Sequence, residues 1–352
     1  MFFIVSLSNH LSKITNTAYS PIVSDKREGI TTAYPVESIK AQSQGKDVDQ
    51  KTLEQTPGHD HQMDPPAVWT YMEEWKEDST PYLRNYVGTN KLQGKAAIIT
   101  GGDSGIGRSV AMLYALEGCD STIVYLPEED KDAKDTKKWV ETKGRKCELV
   151  AVDLREEENC KKIVKDHMAR FGRLDILVNN AARQSMCFDF AEIDLKDVES
   201  TFRLNILAMF AITKYALPHM KRGSSIINST SVAAHMTNPT LVDYSSTKGA
   251  IMAFTKSLGL QLAMKGIRVN GIAPGIIYTP LQPASNPSGN MEAIGKNEAP
   301  MGRPGMPVEV GVWYVSLASA DGSYMTGQII HPNGELNDIC VKIIANVVCR
   351  RY

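Results

Sequence analysis

From Lys95 onward the chain alternates short, nearly continuous apolar runs with longer segments of helical spacing, and this leaves few folds open. The apolar runs are Lys95–Thr100, Ser121–Leu126, Glu148–Val152, Ile176–Val178, Ile226–Thr230, Ile267–Ile272 and Gln328–His331. Between them the spacing predicts helices over Ile106–Leu116, Glu129–Thr142, Glu157–Phe171, Val198–Met220, Tyr244–Met264 and Val308–Leu317. Strands without polar alternation are covered on both faces, and strands separated by helices pair in parallel. Right-handed crossovers then give an α/β fold, a doubly wound parallel sheet of Rossmann type.

In such a sheet ligands bind at the carboxyl ends of the strands, so the residues found there carry the chemistry. The first strand runs into Thr100-Gly101-Gly102-Asp103-Ser104-Gly105-Ile106-Gly107. Glycines at this point let the backbone turn sharply and approach a phosphate, which then faces free N–H groups and the positive end of the helix dipole. The spacing Gly-x3-Gly-x-Gly departs from the commoner Gly-x-Gly-x-x-Gly, and a glycine-rich turn alone is also ordinary loop chemistry. Asp153 follows the third strand, where it would accept a hydrogen bond from an adenine amino group, and Asn179-Asn180-Ala181-Ala182 follows the fourth. Each of these also reads as a plain Asx turn.

A second constellation lies further on. Tyr244 and Lys248 are one helical turn apart, with Ser231 upstream. A lysine beside a phenol stabilises the phenolate, whose pKa is about 10 in water, so the tyrosine can exchange a proton with a carbonyl or alcohol oxygen nearer neutrality. Ser231 is placed to donate to the same oxygen. The same pair of residue types also occurs on solvated helix faces.

Composition excludes several classes. A formal net charge of -1 gives no reason to expect a nucleic-acid partner. No apolar run approaches a membrane span, and the apolar start Met1–Val5 lacks a charged n-region, so neither a membrane nor a secretory signal is expected and cytoplasm is the default. The six cysteines are scattered without Cys-x-x-Cys pairs, as reduced thiols would be. His59 and His61 have no third partner at ligand spacing, so no metal is expected.

Residues 1–60 are polar and without periodicity and are expected to form a disordered or loosely attached extension. Residues 61–92 form an aromatic arm, with Trp69, Tyr71, Met72, Trp75, Tyr82 and Tyr86, packed on the globular body or on a neighbouring subunit. Residues 93–334 form the catalytic domain, and 335–352 an atypical apolar tail.

Taken together, these stretches resemble the short-chain dehydrogenase/reductase superfamily over about Lys91–Gly334. The motifs are the glycine turn, Asp153-Leu154, Asn179–Ala182, Asn205, Ser231, Tyr244-Ser245-Ser246-Thr247-Lys248 and Pro274–Thr279. The arm and the run Tyr125-Leu126-Pro127-Glu128-Glu129 resemble the branch of YghA-like reductases and glucose/ribitol dehydrogenase homologues. The resemblance implies NAD(P)-dependent hydride transfer to or from an aldehyde, ketone, sugar or polyol, with Tyr244 as acid/base. Lys248 would hold the nicotinamide ribose and lower the tyrosine pKa, Ser231 would orient the substrate oxygen, and Asn205 would position a relay water. Gly101, Gly105, Ile106 and Gly107 would contact the pyrophosphate, Asp153 the adenine, Asn179 the ribose region and Thr279 the carboxamide. Ser104, Tyr125, Leu154, Ala181, Pro274, Gly275 and Ile277 complete the implied cofactor surface.

Neither cofactor signature is met at the end of the second strand, where Tyr125 and Leu126 stand. The nearby Glu128 and Glu129 favour NAD by a small margin, while Arg108 keeps NADP open. Pro280–Pro307 suits a lid, and with Gln184, Met186, Cys187, Ala233, Ala234, His235 and Tyr278 it is expected to form a largely apolar pocket. A homo-oligomer, tetramer or dimer, is implied through the helices of Asn205 and Tyr244. The reading from another class is a catalytically silent nucleotide-binding scaffold; an epimerase or dehydratase sharing the Tyr-x3-Lys arrangement is a third.

Overall fold

Five consecutive residues, Ala96–Thr100, are all buried in the computed structural model, as a central strand covered on both faces requires. The structure describes residues 31–39, 58–285, 291, 294–296 and 299–334. Strands β1 (Tyr71–Trp75) and β2 (Pro81–Asn85) form an antiparallel hairpin, with Tyr71 opposite Asn85. The remaining strands are β3 (Ala96–Thr100), β4 (Asp120–Tyr125), β5 (Cys147–Ala151), β6 (Ile176–Asn179), β7 (Ser225–Ser229), β8 (Arg268–Ile272) and β9 (Ile329–Ile330). They build one seven-stranded parallel sheet in the order β5-β4-β3-β6-β7-β8-β9. The chain moves outward from β3 to β5, then crosses back to β6 and continues the other way. That reversal opens a crevice between the carboxyl ends of β3 and β6.

Helices α1 (Gly105–Leu116), α2 (Asp130–Thr142), α3 (Glu157–Phe171), α4 (Leu195–Phe202), α5 (Ala208–Ala216), α6 (Val242–Ala263), α7 (Leu281–Ser285) and α8 (Pro307–Ala318) include the elements that cover the sheet. Two separate cores result, one on each face. The first takes Leu113, Tyr114, Tyr314 and Val308; the second takes Ile163, Ile212, Leu262 and Val269. Gly172, with a φ of +71°, caps α3 by donating its N–H to the Met168 carbonyl. The long helix expected over Val198–Met220 is instead interrupted by a π-helical turn, Arg203–Leu207, which carries Asn205.

Of the segment 1–60 expected to be loose, residues 31–39 and 58–60 are described. Within the segment expected to be loose, Tyr34, Val36 and Ile39 are buried in the first core, and Asp60 is 2 % exposed. The Tyr34 ring stacks on the Arg303 guanidinium at 4.9 Å, and its hydroxyl accepts the Glu73 N–H. Burial of Tyr34, Val36 and Ile39, invisible as periodicity, holds residues 34–39 down. Of the two placements left open for the arm, these contacts are with the body: the Tyr278 hydroxyl donates to the Pro65 carbonyl, and buried Glu117 accepts from the Tyr86 hydroxyl and the Thr89 and Lys91 N–H groups. The tail 335–352, with Cys340 and Cys349, lies outside the described residues, as does part of the expected lid (286–290, 292–293 and 297–298).

Candidate active site

At the nucleotide end, Gly101 (φ +62°) and Gly105 (φ +49°) adopt left-handed backbone that disfavours side chains. At Gly107 a Cβ would sit 1.8 Å from the Gly101 carbonyl oxygen, so the turn tolerates no other residue. The first intrahelical bond of α1 runs from Arg108 N–H to Ser104. The N–H groups of Ile106 and Gly107 therefore precede the helical ladder, and with the helix dipole they suit an anionic pyrophosphate. Thr100 ties this turn to the neighbouring strand end, its hydroxyl accepting the N–H groups of Asn180 and Ala181 at 2.9 and 3.1 Å. Asn180 returns its amide to the carbonyls of Thr100 and Gly101, both at 3.1 Å.

A carboxylate from the N-terminal segment underlies the turn. Asp60 Oδ2 accepts the Gly105 N–H at 2.9 Å and lies 3.3 Å from Arg108 Nε. Arg108, which is 5 % exposed, also donates to the Asp103 and Asp132 carbonyls, both at 2.8 Å. Burial pushes the Asp60 carboxyl up to about 7, with Arg108 and the Gly105 N–H pulling the other way.

At the proton-transfer end, Tyr244 and Lys248 occupy one buried face of α6, at 7 % and 2 % exposure. The Lys248 Nζ donates to the Ser229 carbonyl at 2.9 Å and stands 5.2 Å from the Tyr244 ring centroid. Ser231 accepts the Ala233 N–H at 3.1 Å, which leaves its hydroxyl proton free for another acceptor, and its side chain acts on the Tyr244 phenol. Burial pushes the phenol up to about 12, the Ser231 side chain acting in the opposite direction, and burial pulls the Lys248 ammonium down to about 7. At these values burial outweighs the depression of the tyrosine by the lysine expected from their spacing. A lysine titrating near 7 is only partly charged at neutrality, and its ammonium lies over the ring and on a carbonyl.

Asn205, carried by the π turn, accepts the Arg183 N–H at 2.9 Å and donates to the Arg183 carbonyl and the Thr247 hydroxyl at 3.0 and 3.1 Å. It thus joins the loop after β6 to α6, and both its amide protons are spent on protein. Several other expected contacts have their side chains turned elsewhere. Asn179 is buried and donates to Asn228 Oδ1 at 2.9 Å, Leu154 is in the second core, and Ile277 packs where Gly305 leaves space. Tyr125 donates its hydroxyl to Asp130, and Asp153 is bound by the Arg155 guanidinium at 2.6 Å. These positions can meet a ligand through backbone or residual lone pairs, not through a free side chain. Tyr278, expected in the pocket wall, is fully buried against the arm.

Thr279 does reach the turn: a Cβ on Gly105 would stand 3.1 Å from its Cβ. Gly275 packs so closely on Asn333 that a Cβ would fall 2.6 Å from its carbonyl oxygen, and the Pro274 carbonyl accepts the Val232 N–H beside Ser231. The wall around Tyr244 is apolar, formed by Met186, Ala233 and Leu241, and Gln184 donates to Ser285 Oγ at 2.5 Å. The contributions of Thr100, Thr247 and the Ser229 carbonyl were missed from sequence. Thr100 was legible as a hydroxyl at the strand end, whereas a backbone carbonyl carries no residue code.

Comparison with known proteins agrees with this arrangement. A family model described as enoyl-(acyl carrier protein) reductase matches residues 101–336. Glucose and ribitol dehydrogenase of Daucus carota is 46% identical over 286 residues, covering 80% of this chain and 94% of that one. NADPH-dependent aldehyde reductase 1, chloroplastic, of Arabidopsis thaliana is 51% identical over 265 residues, covering 73% of this chain and 92% of that one. A solved short-chain dehydrogenase from Burkholderia cenocepacia J2315 in complex with NADP superposes with a TM-score of 0.66 at 27% identity, over 70% of this chain and 99% of that one. With its parallel sheet, glycine turn and Ser231–Tyr244–Lys248 cluster in order, the chain belongs to the short-chain dehydrogenase/reductase superfamily and is an oxidoreductase of that type.

Proposed function

We propose that the protein interconverts an uncharged aldehyde, ketone or sugar carbonyl and its alcohol, with Tyr244 as the proton donor and acceptor. The observation that carries this reading is the convergence of the Ser231 hydroxyl and the Tyr244 phenol in a buried apolar wall, with Lys248 behind them. The nicotinamide cofactor, when bound, supplies or takes the hydride. Gly101, Gly105, Ile106 and Gly107 offer the cradle and helix N-terminus for its pyrophosphate, and Thr279 flanks the turn toward the ring. Ser231 donates to the substrate oxygen, and Tyr244 gives that oxygen its proton as the carbonyl is reduced. Lys248 is the cation able to stabilise the phenolate left behind. Both Asn205 amide protons are committed to protein, so a relay water is held by an acceptor, the residual Oδ1 lone pair or a backbone carbonyl of the π turn, where helical hydrogen bonding is interrupted.

An uncharged substrate follows from the wall. Arg183, a cation near Gln184, is paired with Asp197 at 3.2 Å, and among the described residues the wall of Met186, Ala233 and Leu241 offers no charged clamp. The similarity to an aldehyde reductase and a glucose and ribitol dehydrogenase supports this substrate class. For the cofactor the supports diverge: Arg108 is committed below the turn and unavailable to a 2'-phosphate, whereas the relative named for NADPH and the neighbour solved with NADP speak for the phosphorylated form. The margin for NAD expected from sequence therefore gains no support from relatives, and both forms are carried as substrates. Exposed Leu207, Phe210, Leu260 and Met264 on the helices of Asn205 and Tyr244 support a homo-oligomer, dimer or tetramer. Among the described residues no helix is long and apolar enough to cross a membrane, and cytoplasm is retained as the proposed location.

The test is Tyr244→Phe, assayed with NADH and NADPH separately against aldehydes, ketones, sugars and polyols. Turnover should fall by about 10²–10⁴-fold with cofactor affinity kept; undiminished turnover would remove Tyr244 from its role. A wild-type chain that binds cofactor and reduces no member of the panel would favour the silent scaffold.

A further inference from the structure

The fold brings a third partner to the two histidines that stood alone in sequence. His61 Nδ1 lies 3.0 Å from Asp132 Oδ1, and His59 Nδ1 lies 3.7 Å from Asp132 Oδ2. The three ligand atoms all lie within 4.8 Å of one another. Around a tetrahedral zinc-type ion with bonds of about 2.0–2.1 Å, neighbouring ligand atoms stand about 3.3 Å apart; here the two imidazoles lie 3.0 and 3.7 Å from different oxygens of Asp132, so a carboxylate that presents one oxygen to each reaches both. We propose that His59, His61 and Asp132 bind one divalent transition-metal ion of the imidazole-preferring class, clasping the segment before the arm onto α2.

Three features favour a built site over a chance cluster. The Asp60 and His61 N–H groups donate to the Asp132 carboxylate at 3.0 and 3.2 Å, so the backbone fixes the ligands before any ion arrives. His59 Nδ1 is buried and has no hydrogen-bond partner, a state that costs free energy in a folded chain and that a metal bond relieves. Charge points the same way: the carboxylates of Asp60 and Asp132 are both buried against the guanidinium of Arg108, at 3.3 Å each. Arg108 approaches Asp132 at Oδ1, whereas Oδ2, on the His59 side, accepts only the Asp60 N–H. The histidine side chains are 23% and 26% exposed against 0% for Asp132, so an ion enters from solvent and completes its shell with water. Two imidazoles and one carboxylate suit zinc above magnesium or calcium, which take oxygen ligands.

This site is independent of the oxidoreductase reading. Full-length protein stripped with a chelator is titrated with zinc sulfate by calorimetry, then with Co²⁺ to follow its visible absorption. We expect one ion per chain and a raised Tm. His59→Gln and His61→Gln should each weaken binding by about 100-fold or more, beyond the 10–100-fold that loss of an outer partner costs. Asp132→Asn, which keeps one oxygen for Arg108 and the His61 N–H, should weaken binding likewise; circular dichroism reports whether each variant is folded. No saturable binding at micromolar zinc, or binding retained in both histidine variants, would overturn the proposal.

Discussion

The two ends of the cleft bury ionisable groups in opposite ways. Around Tyr244 and Lys248 the polar neighbours are neutral, the Ser231 hydroxyl and the Ser229 carbonyl, and burial moves the phenol up and the ammonium down. Under the glycine turn, Arg108 faces Asp60 and Asp132 at 3.3 Å each, and backbone N–H groups take up further carboxylate oxygens. An isolated buried charge is costly and tends to neutralise, and a partner offsets only part of that cost: Arg108 and the Gly105 N–H pull the Asp60 carboxyl down against burial, which still leaves it at about 7. The proton-transfer end thus leaves its charge state to be decided by what enters the cleft. The nucleotide end spends its charges on holding one backbone shape.

If that contrast is right, Lys248→Met should show the largest effect. It removes the only cation beside Tyr244 among the described residues, so turnover should drop by about 10²–10⁴-fold and cofactor affinity should fall, by steady-state kinetics and fluorescence titration. Survival of turnover would mean that the phenol needs no cation. Arg108→Met should act on stability instead. It strands buried Asp60 and Asp132 and should cost about 3–5 kcal/mol in denaturant unfolding; a loss within error would show the network to be slack.

The pH dependence of stability sharpens the contrast because the two ends have opposite signs. Lys248 titrates at about 7 when folded, below the unfolded value of about 10.4, so the native state binds fewer protons and this group adds stability as pH rises between those values. Glu129, beside the glycine turn, is pushed by burial and by Asp103 up to about 8, above its unfolded value of about 4.3, so its contribution falls as pH rises through that interval. Thermal scans from pH 5 to 10 should show a smaller alkaline rise in Lys248→Met and a smaller neutral decline in Glu129→Gln, the remainder of that decline belonging to Asp60. Unchanged profiles would break the assignment of either slope. The smallest effect is expected for Tyr278→Phe, which deletes the bond to the Pro65 carbonyl and should lower stability by about 1 kcal/mol, without changing turnover.

Much of the molecule was legible one segment at a time. All seven parallel strands were read from apolar runs, because a strand covered on both faces needs side chains of one kind. Tyr244 and Lys248 declared themselves because one helical turn is a local distance. The glycine turn did so because a left-handed φ and a Cβ clash restrict the residue type on the spot.

What only the tertiary structure decided involves partners far apart in sequence or groups without a residue identity. Periodicity could not reveal that Tyr34 and Asp60 are buried, that Asp132 meets His59 and His61, or that the Ser229 carbonyl holds Lys248. Nor could it find the π turn that aims Asn205 at Arg183, since helical spacing on either side looks unbroken. Local patterns record which face of an element is buried. Which distant side chain or carbonyl meets that face is settled only when the elements pack, and there the charges of this protein were apportioned between reacting and holding.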